Sequence, residues 1–528
     1  MRGVSKQRSR AERYARKFAA AGDKKRMPAP TPDLEHYLDS LPEDVFIVLE
    51  GFVERVVAGN PDDPLATGHL LLLQCQLERI RYRRDRGYED ATRLIERFQH
   101  VVADLTVAGR IDGQALSMLA SALQQAGIAA SAELSAAMTR CAEHFTPDVT
   151  PNDFTPMLEE VAKQCDNDPY LVVSMLAETG HAMPAQARAS MATMQAQSTN
   201  AVAREAAVLL LLDPEPAVRQ TAAAELQAGV RKLSPDSLRR LIAMRNWRPE
   251  TERHIVDEIG RAARAKGIDC APWQNGSAEA ILASGLDGSG AQGFLIVSPA
   301  GRGKRLSSVL LKNGVRDAWT APPESQRQTR AALAYAAFET SMIPVSRDYF
   351  DRAVRHHLQL GLALEALPPA GLLQVAEAVG GAHWQPELLD WRKVLAAVLA
   401  ELPAAMLKPH AVREVLRTSA AWAQFGSIAE SWFEDDQEVA QLVGRPRGRQ
   451  QVKMREYVLQ SVLVRRREKW AEHFLWTALW LREAPDEKAL PWRNFVILAQ
   501  ALADGRDLSE VSLMRDIAAR TVTVLAQA

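Results

Sequence analysis

Residues 200–229 read N-A-V-A-R-E-A-A-V-L-L-L-L-D-P-E-P-A-V-R-Q-T-A-A-A-E-L-Q-A-G, and the reading of the whole chain turns on them. In the first half Val202, Ala206 and Leu209 or Leu210 recur at three- and four-residue steps. In the second half Val218, Ala222 and Leu226 fall every fourth residue. Such spacing gathers apolar side chains on one helical face, so two amphipathic helices are expected. Asp213-Pro214-Glu215-Pro216 separates them. Proline lacks an N–H and disfavours helical geometry in the residue before it, yet it suits the first turn of the helix that follows.

Two helices joined in this way, with Asp213, Val218-Arg219, the small pair Ala222 and Ala223, and Leu226, resemble a HEAT-type helical hairpin. The resemblance covers residues 200–229 alone. It implies an α-solenoid in which the matching Asp and Arg link neighbouring repeats and the small positions let paired helices approach closely. A stack of that kind binds something.

At 528 residues the chain is long enough for several domains, or for one solenoid that grows by stacking. Apolar residues at 47 % and charged ones at 24 % describe an ordinary soluble globular protein. A net charge of -1 argues against a wholesale polyanion binder, so any nucleic-acid function has to sit on a local patch. Cys75, Cys141, Cys165 and Cys270 form no C-x-x-C pair and stand near no histidine at zinc-finger spacing, as expected of reduced thiols in a cytoplasmic protein. No run approaches the roughly eighteen apolar residues of a membrane span, and no apolar segment follows the basic start. The start also suits an organellar import peptide, a reading that Glu12 and Asp23 weaken.

Residues 1–32 are expected to be a disordered basic arm. Residues 1–26 hold ten Lys or Arg against two acids, and Pro28, Pro30 and Pro32 follow. The sharper reading is an electrostatic arm for nucleic acid or an acidic protein, with Tyr14 and Phe18 on one face of a short helix. Residues 33–268 carry helical periods broken at Asn60-Pro61, Gly87 and Gly113, with Pro151, Pro169, Pro184, Pro235 and Pro249 at helix starts. They are expected to form stacked helix pairs. Leu70 to Leu73 are read as core, since the run is too short for a membrane.

Between residues 269 and 323 the texture changes. Glycines exclude a long helix, 294–297 suits a strand, 306–311 suits a partner strand or a helix, and Asn313-Gly314 signals a turn. A small β-hairpin insert is expected there, marking a domain boundary. Residues 324–528 return to helix and hold eight of the eleven tryptophans. Trp470, Phe474, Thr477, Ala478 and Leu481 form one stripe, read as a buried face in preference to partner anchors.

Few motifs point to chemistry. Gly288 to Gly293 has phosphate-loop spacing, but Phe294 and Leu295 stand where Lys and Ser or Thr are required, and Gly288-Ser289-Gly290 lacks the outer glycines of a hydrolase elbow. Asp287, Gln292, Arg302 and Lys304 remain as a polar patch for a ligand or partner, set against a solvated hairpin tip. Adjacent His356 and His357 point about 100° apart on a helix and cannot easily share an ion. Glu472-His473 has Lys469 where H-x-x-E-H has its first histidine. Pro446-Arg447-Gly448-Arg449 resembles part of an AT-hook core, with Gln450 in place of the closing proline, so Arg445, Arg447 and Arg449 are candidate minor-groove contacts. Lys453, Arg455 and Arg465 to Arg467 add charge, the acids at 434–438 oppose it, and a basic linker between helices is the plainer reading.

The sequence thus gives an all-α protein of stacked helical hairpins, a HEAT-like α-solenoid with a small β-hairpin insert. It reads as a non-enzymatic cytoplasmic scaffold for a protein partner, with no cofactor, no metal and no membrane contact. The runner-up is a nucleic-acid-associated protein using the basic arm and the hook-like loop. An enzyme with its site at the glycine-rich insert comes third.

Overall fold

The computed structural model describes residues 2–22, 31–40, 42–57, 63–145, 151–180, 185–273, 276–339, 341–423, 425–444, 449–484 and 491–527. Asn60-Pro61, Pro28, Pro30, Pro184, Arg445, Pro446, Arg447 and Gly448 lie outside them. The described residues hold twenty-four α-helices and five strands. Two compact units divide the chain. One is Met1–Ala207 with Gln220–Ala222 and Asp436–Glu438, and the other is Val208–Arg219, Ala223–Asp435 and Val439–Ala528. The division therefore falls inside residues 200–229, not at the glycine-rich segment.

The first unit is built from α1 (Arg2–Gly22), α2 (Pro32–Ser40), α3 (Val45–Val57), α4 (Pro64–Arg84), α5 (Glu89–Val107), α6 (Gly113–Gln125), α7 (Ala132–Phe145), α8 (Pro151–Gln164), α9 (Pro169–Gly180) and α10 (Ala185–Gln197), and α11 (Ala201–Leu209) straddles the division. Prolines open α2, α4, α8 and α9, as their geometry favours. Leu72 and Leu73 are in the core, as expected. A smaller core forms around Ala162, Cys165, Val172 and Ala206.

The disordered arm is corrected. Residues 2–22 form a helix whose Ala11, Tyr14, Ala15 and Phe18, at steps of three and four, are buried in the main core of this unit. Tyr14 stacks on Tyr37 at 4.7 Å, and α4 comes so close that a Cβ at Gly68 would stand 2.1 Å from the Ala15 carbonyl oxygen. The basic face meets acids: Arg13 pairs with Asp33, Arg16 with Glu12 and Arg8 with Glu54. Burying Tyr14 and Phe18 contributes roughly 1.5–3 kcal/mol each, whereas an exposed ion pair contributes about 0–1 kcal/mol. The apolar stripe supplies most of what docks the helix, and the exposed ion pairs add a smaller share.

The second unit opens with α12 (Pro216–Ala228), α13 (Pro235–Met244) and α14 (Glu250–Ala265). A five-stranded sheet follows: β1 (Ala280–Ala283), β2 (Gln292–Ala300), β3 (Gly303–Leu311), β4 (Val315–Thr320) and β5 (Ile343–Pro344), in the order β4-β3-β2-β1-β5 with every neighbour antiparallel. The helix α15 (Gln326–Glu339) lies between β4 and β5 in sequence. The remaining helices are α16 (Arg347–Ala363), α17 (Gly371–Val379), α18 (Trp391–Ala400), α19 (Pro409–Trp422), α20 (Gln437–Val443), α21 (Arg449–Tyr457), α22 (Arg467–Arg482), α23 (Trp492–Ala503) and α24 (Ser512–Gln527).

The expected hairpin is present, with Phe294 opposite Val309 and Ala300 opposite Gly303, but it is the centre of a larger sheet. Nor is the sheet a separable insert. Its inner face, Ile281, Ala283, Phe294, Ile296, Val309, Leu311 and Ala318, is buried, and Phe294 meets Phe350 of α16 at 5.1 Å. The indole N–H groups of Trp480 and Trp432 donate to the carbonyls of Ala283 and Leu286 at 3.0 and 2.9 Å. The Trp470 stripe is buried as expected, and Leu475, Trp476, Leu479 and Trp480 are buried as well. From His473 to Leu481 every residue of α22 is buried, so that part of the helix lies at the centre of the packing.

Candidate functional site

The polar patch expected in the glycine-rich segment does not assemble. Asp287 closes its own turn: one carboxylate oxygen accepts from the N–H groups of Ser289 and Ala291 at 2.9 and 2.8 Å and from the Ser289 hydroxyl at 2.7 Å. Gly288 is there for packing, since a Cβ would stand 2.3 Å from the Ser431 carbonyl oxygen. Gln292 is buried, donating to the Ser284 carbonyl at 2.8 Å and accepting from the Tyr349 hydroxyl at 3.0 Å. Arg302 is exposed at the β2–β3 turn, and Lys304 pairs with Glu279. The length of β2 separates these two pairs by roughly 25 Å at the usual rise per residue. The strand alternation that makes the hairpin is what pulls the patch apart.

Of the hook-like residues, Arg445 and Arg447 lie outside the described residues, and Arg449 begins α21. That helix buries none of its residues. Arg449, Lys453 and Arg455 are exposed and make no ion pair among the described residues. Upstream, Glu434 is buried and committed: it accepts from Arg466 at 2.6 Å, from Lys469 at 2.9 Å and from the Trp470 indole at 2.9 Å.

The three histidines singled out in the sequence, His356, His357 and His473, are buried packing groups. His356 accepts from the Leu389 N–H at Nδ1, and His357 faces the Ala353 carbonyl at 3.0 Å. His473 sits in a box of Trp432, Trp470 and Phe474. Burial lowers their affinity for a proton, to a pKa of about 3 for His356, about 4 for His357 and about 3 for His473. All three are neutral near pH 7. Glu472 is 3.8 Å from His356, and burial raises its pKa.

Two buried ion networks brace the second unit. Arg219, the arginine of the HEAT-like stretch, donates to the carbonyls of Asp213 and Pro214 at 2.9 Å and grips Glu252 of α14 through two nitrogens at 3.0 and 2.6 Å. Arg248 also reaches Glu252, at 2.7 Å. Burial works against ionisation of Glu252, but the two arginines outweigh it and hold its carboxyl below the usual range. Arg239 and Arg240 converge in the same way on Glu377, with the same outcome.

One arrangement was missed by the sequence reading. Asp351 accepts from Arg347 and the Trp384 indole, both at 2.7 Å, and from Nε2 of the exposed His383 at 2.8 Å. A carboxylate that orients an exposed imidazole is half of an acid–base apparatus. Among the described residues no hydroxyl or thiol is hydrogen-bonded to His383.

Comparison with known proteins gives two family matches. Residues 184–267 match the Y4lR second domain and residues 392–526 match the Y4lR C-terminal helical domain. The uncharacterized protein y4lR of Sinorhizobium fredii (strain NBRC 101917 / NGR234) is 27% identical over 300 residues, 55% of this chain and 56% of that protein. The chain thus spans about half the length of that relative. No solved structure matches.

Proposed function

We propose that this chain is a non-enzymatic cytoplasmic scaffold that binds a protein partner through the outer face of its sheet. The observation that carries the reading is the composition of that face. Leu282, Leu295 and Leu306 are half-buried, while Leu310 and Trp319 are 41% and 42% exposed. Ser308 is paired with Trp319, which sets the indole diagonally beside Leu310. A leucine surface with an indole at its margin fits an apolar partner surface, because burial of such groups supplies most of the energy of a protein interface.

The HEAT-like reading of residues 200–229 belongs to the same proposal. It is supported by Arg219, which ties the turn before α12 to Glu252 of α14 in the way that successive hairpins are linked. The scattered free cysteines support a reducing compartment. Affinity purification of wild type and of a Leu310→Asp, Trp319→Ala variant, each with nuclease treatment, tests the reading. The same discrete protein should be captured with and without nuclease by wild type and lost with the variant. Equal capture by the variant ends the proposal.

A second reading, nucleic-acid association, is favoured by one observation, the three cations of the exposed helix α21 that make no ion pair among the described residues. Its hook-like form requires tighter binding to A/T-rich than to G/C-rich duplex, lost on replacing Arg447 and Arg449 by alanine. Equal weak binding to both duplexes, unaltered by that replacement, removes the hook-like contact.

A further inference from the structure

In the first unit α5 and α7 bring together three groups that neither reading above uses. His100 and Asp104 are four residues apart on α5 and share a face, and Glu133 stands in the first turn of α7. Nε2 of His100 is 3.5 Å from an Asp104 oxygen, and Nδ1 is 2.9 and 3.0 Å from the two Glu133 oxygens. One nitrogen and two carboxylate oxygens, one from each residue, lie within 4.8 Å of one another. All three side chains are exposed, so an ion and its remaining water ligands have access.

We propose that His100, Asp104 and Glu133 form a site for a divalent transition-metal ion of the Zn²⁺ class, bridging α5 to α7. The donor set selects the ion. Imidazole nitrogen suits zinc and its neighbours, whereas calcium needs six or more oxygens and magnesium retains its waters. Two ligands about 2.0–2.1 Å from a tetrahedral zinc stand about 3.4 Å apart, which the 3.5 Å between His100 and Asp104 already approaches. Glu133 lies at Nδ1, the other ring nitrogen, so its side chain has to rotate for its carboxylate to take the third position, with water completing the shell.

A proton is the competitor. The hydrogen bond from Glu133 and the charges of Asp104 and Glu133 raise the pKa of His100, so the same two carboxylates that attract the metal also hold the proton it must displace. Within four residues of His100 along α5, the other charged residues besides Asp104 are Glu96 and Arg97. Arg97 is engaged with Glu43 at 3.1 Å and lies over the Phe46 ring. Because the ligands come from two helices, an ion bound here favours the folded state.

Zn²⁺ titrated calorimetrically into the full-length chain, free of any histidine tag, tests the site. At pH 7.5 one ion per chain should bind, and at pH 5.5 the affinity should fall at least about tenfold as His100 takes its proton. His100→Ala should abolish binding, Asp104→Asn and Glu133→Gln should each weaken it at least about tenfold, and His410→Ala, at another exposed histidine, should leave it unchanged. The melting temperature should rise with Zn²⁺ in wild type and not in His100→Ala, which separates a lost ligand from a lost fold. Absence of saturable binding at pH 7.5, binding that survives His100→Ala, or binding indifferent to pH would each overturn the proposal and leave an adventitious ion only.

Discussion

The helices α1 and α21 are both basic by composition, and they have opposite places in the fold. In α1 the apolar residues Ala11, Tyr14, Ala15 and Phe18 recur at helical steps and are buried, and Asp33, Glu12 and Glu54 partner its cations. In α21 no residue is buried, and Arg449, Lys453 and Arg455 meet no acid among the described residues. Charge count alone does not separate a solvated segment from a structural one. The spacing of the few apolar residues does, because burying one large side chain outweighs several exposed ion pairs.

The comparison breaks most readily at its α1 side. Deleting residues 2–22 should lower the melting temperature of the first unit severely and increase binding of a hydrophobic dye. Phe18→Ala alone should cost about 3–5 kcal/mol in denaturant unfolding. An unchanged melt for either variant would return residues 1–32 to the status of a free arm.

A smaller effect comes from pH. The Tyr14 hydroxyl donates to Asp33, and with Arg13 and Arg10 nearby this holds the Asp33 carboxyl below its usual range. A carboxylate with a lowered folded pKa contributes stability above its unfolded value, near 3.9, and loses that contribution as pH falls through the folded value. Burial raises the Asp44 carboxyl instead, so its contribution runs the other way. The stability gap between wild type and Asp33→Asn should therefore hold from pH 6 down to about 4 and close as pH falls further, through the folded value. A gap that stays constant would mean that this ion network does not help to dock α1.

The smallest effect is expected in α21. Replacing Arg449, Lys453 and Arg455 together by alanine should change stability by no more than about 0.5 kcal/mol, as for surface residues without partners. A larger loss would show that α21 is as structural as α1.

Much of the helical architecture was legible because prolines punctuate it. Pro151, Pro169, Pro216 and Pro235 each begin a helix, and the 200–229 stretch forms the two helices its periods imply. In the glycine-rich segment the two central strands were legible, but β1 and β5 have four and two residues, too few for a periodic signal, so a sheet passed for a hairpin. The stripe in α1 was equally visible and was outvoted by ten cations. Sites were the least legible. Asp351 and His383 are separated by 32 residues and His100 and Glu133 by 33, distances over which no motif spacing survives.

We propose that the apolar sheet face engages a protein and that the exposed cations of α21 do not engage nucleic acid. Photo-crosslinking in the native cell, with a benzophenone side chain at position 310 in one chain and at position 453 in another, addresses both halves. A discrete, nuclease-resistant protein adduct from position 310 and none from position 453 is the expected result. No adduct at 310, together with a nuclease-sensitive one at 453, would contradict it.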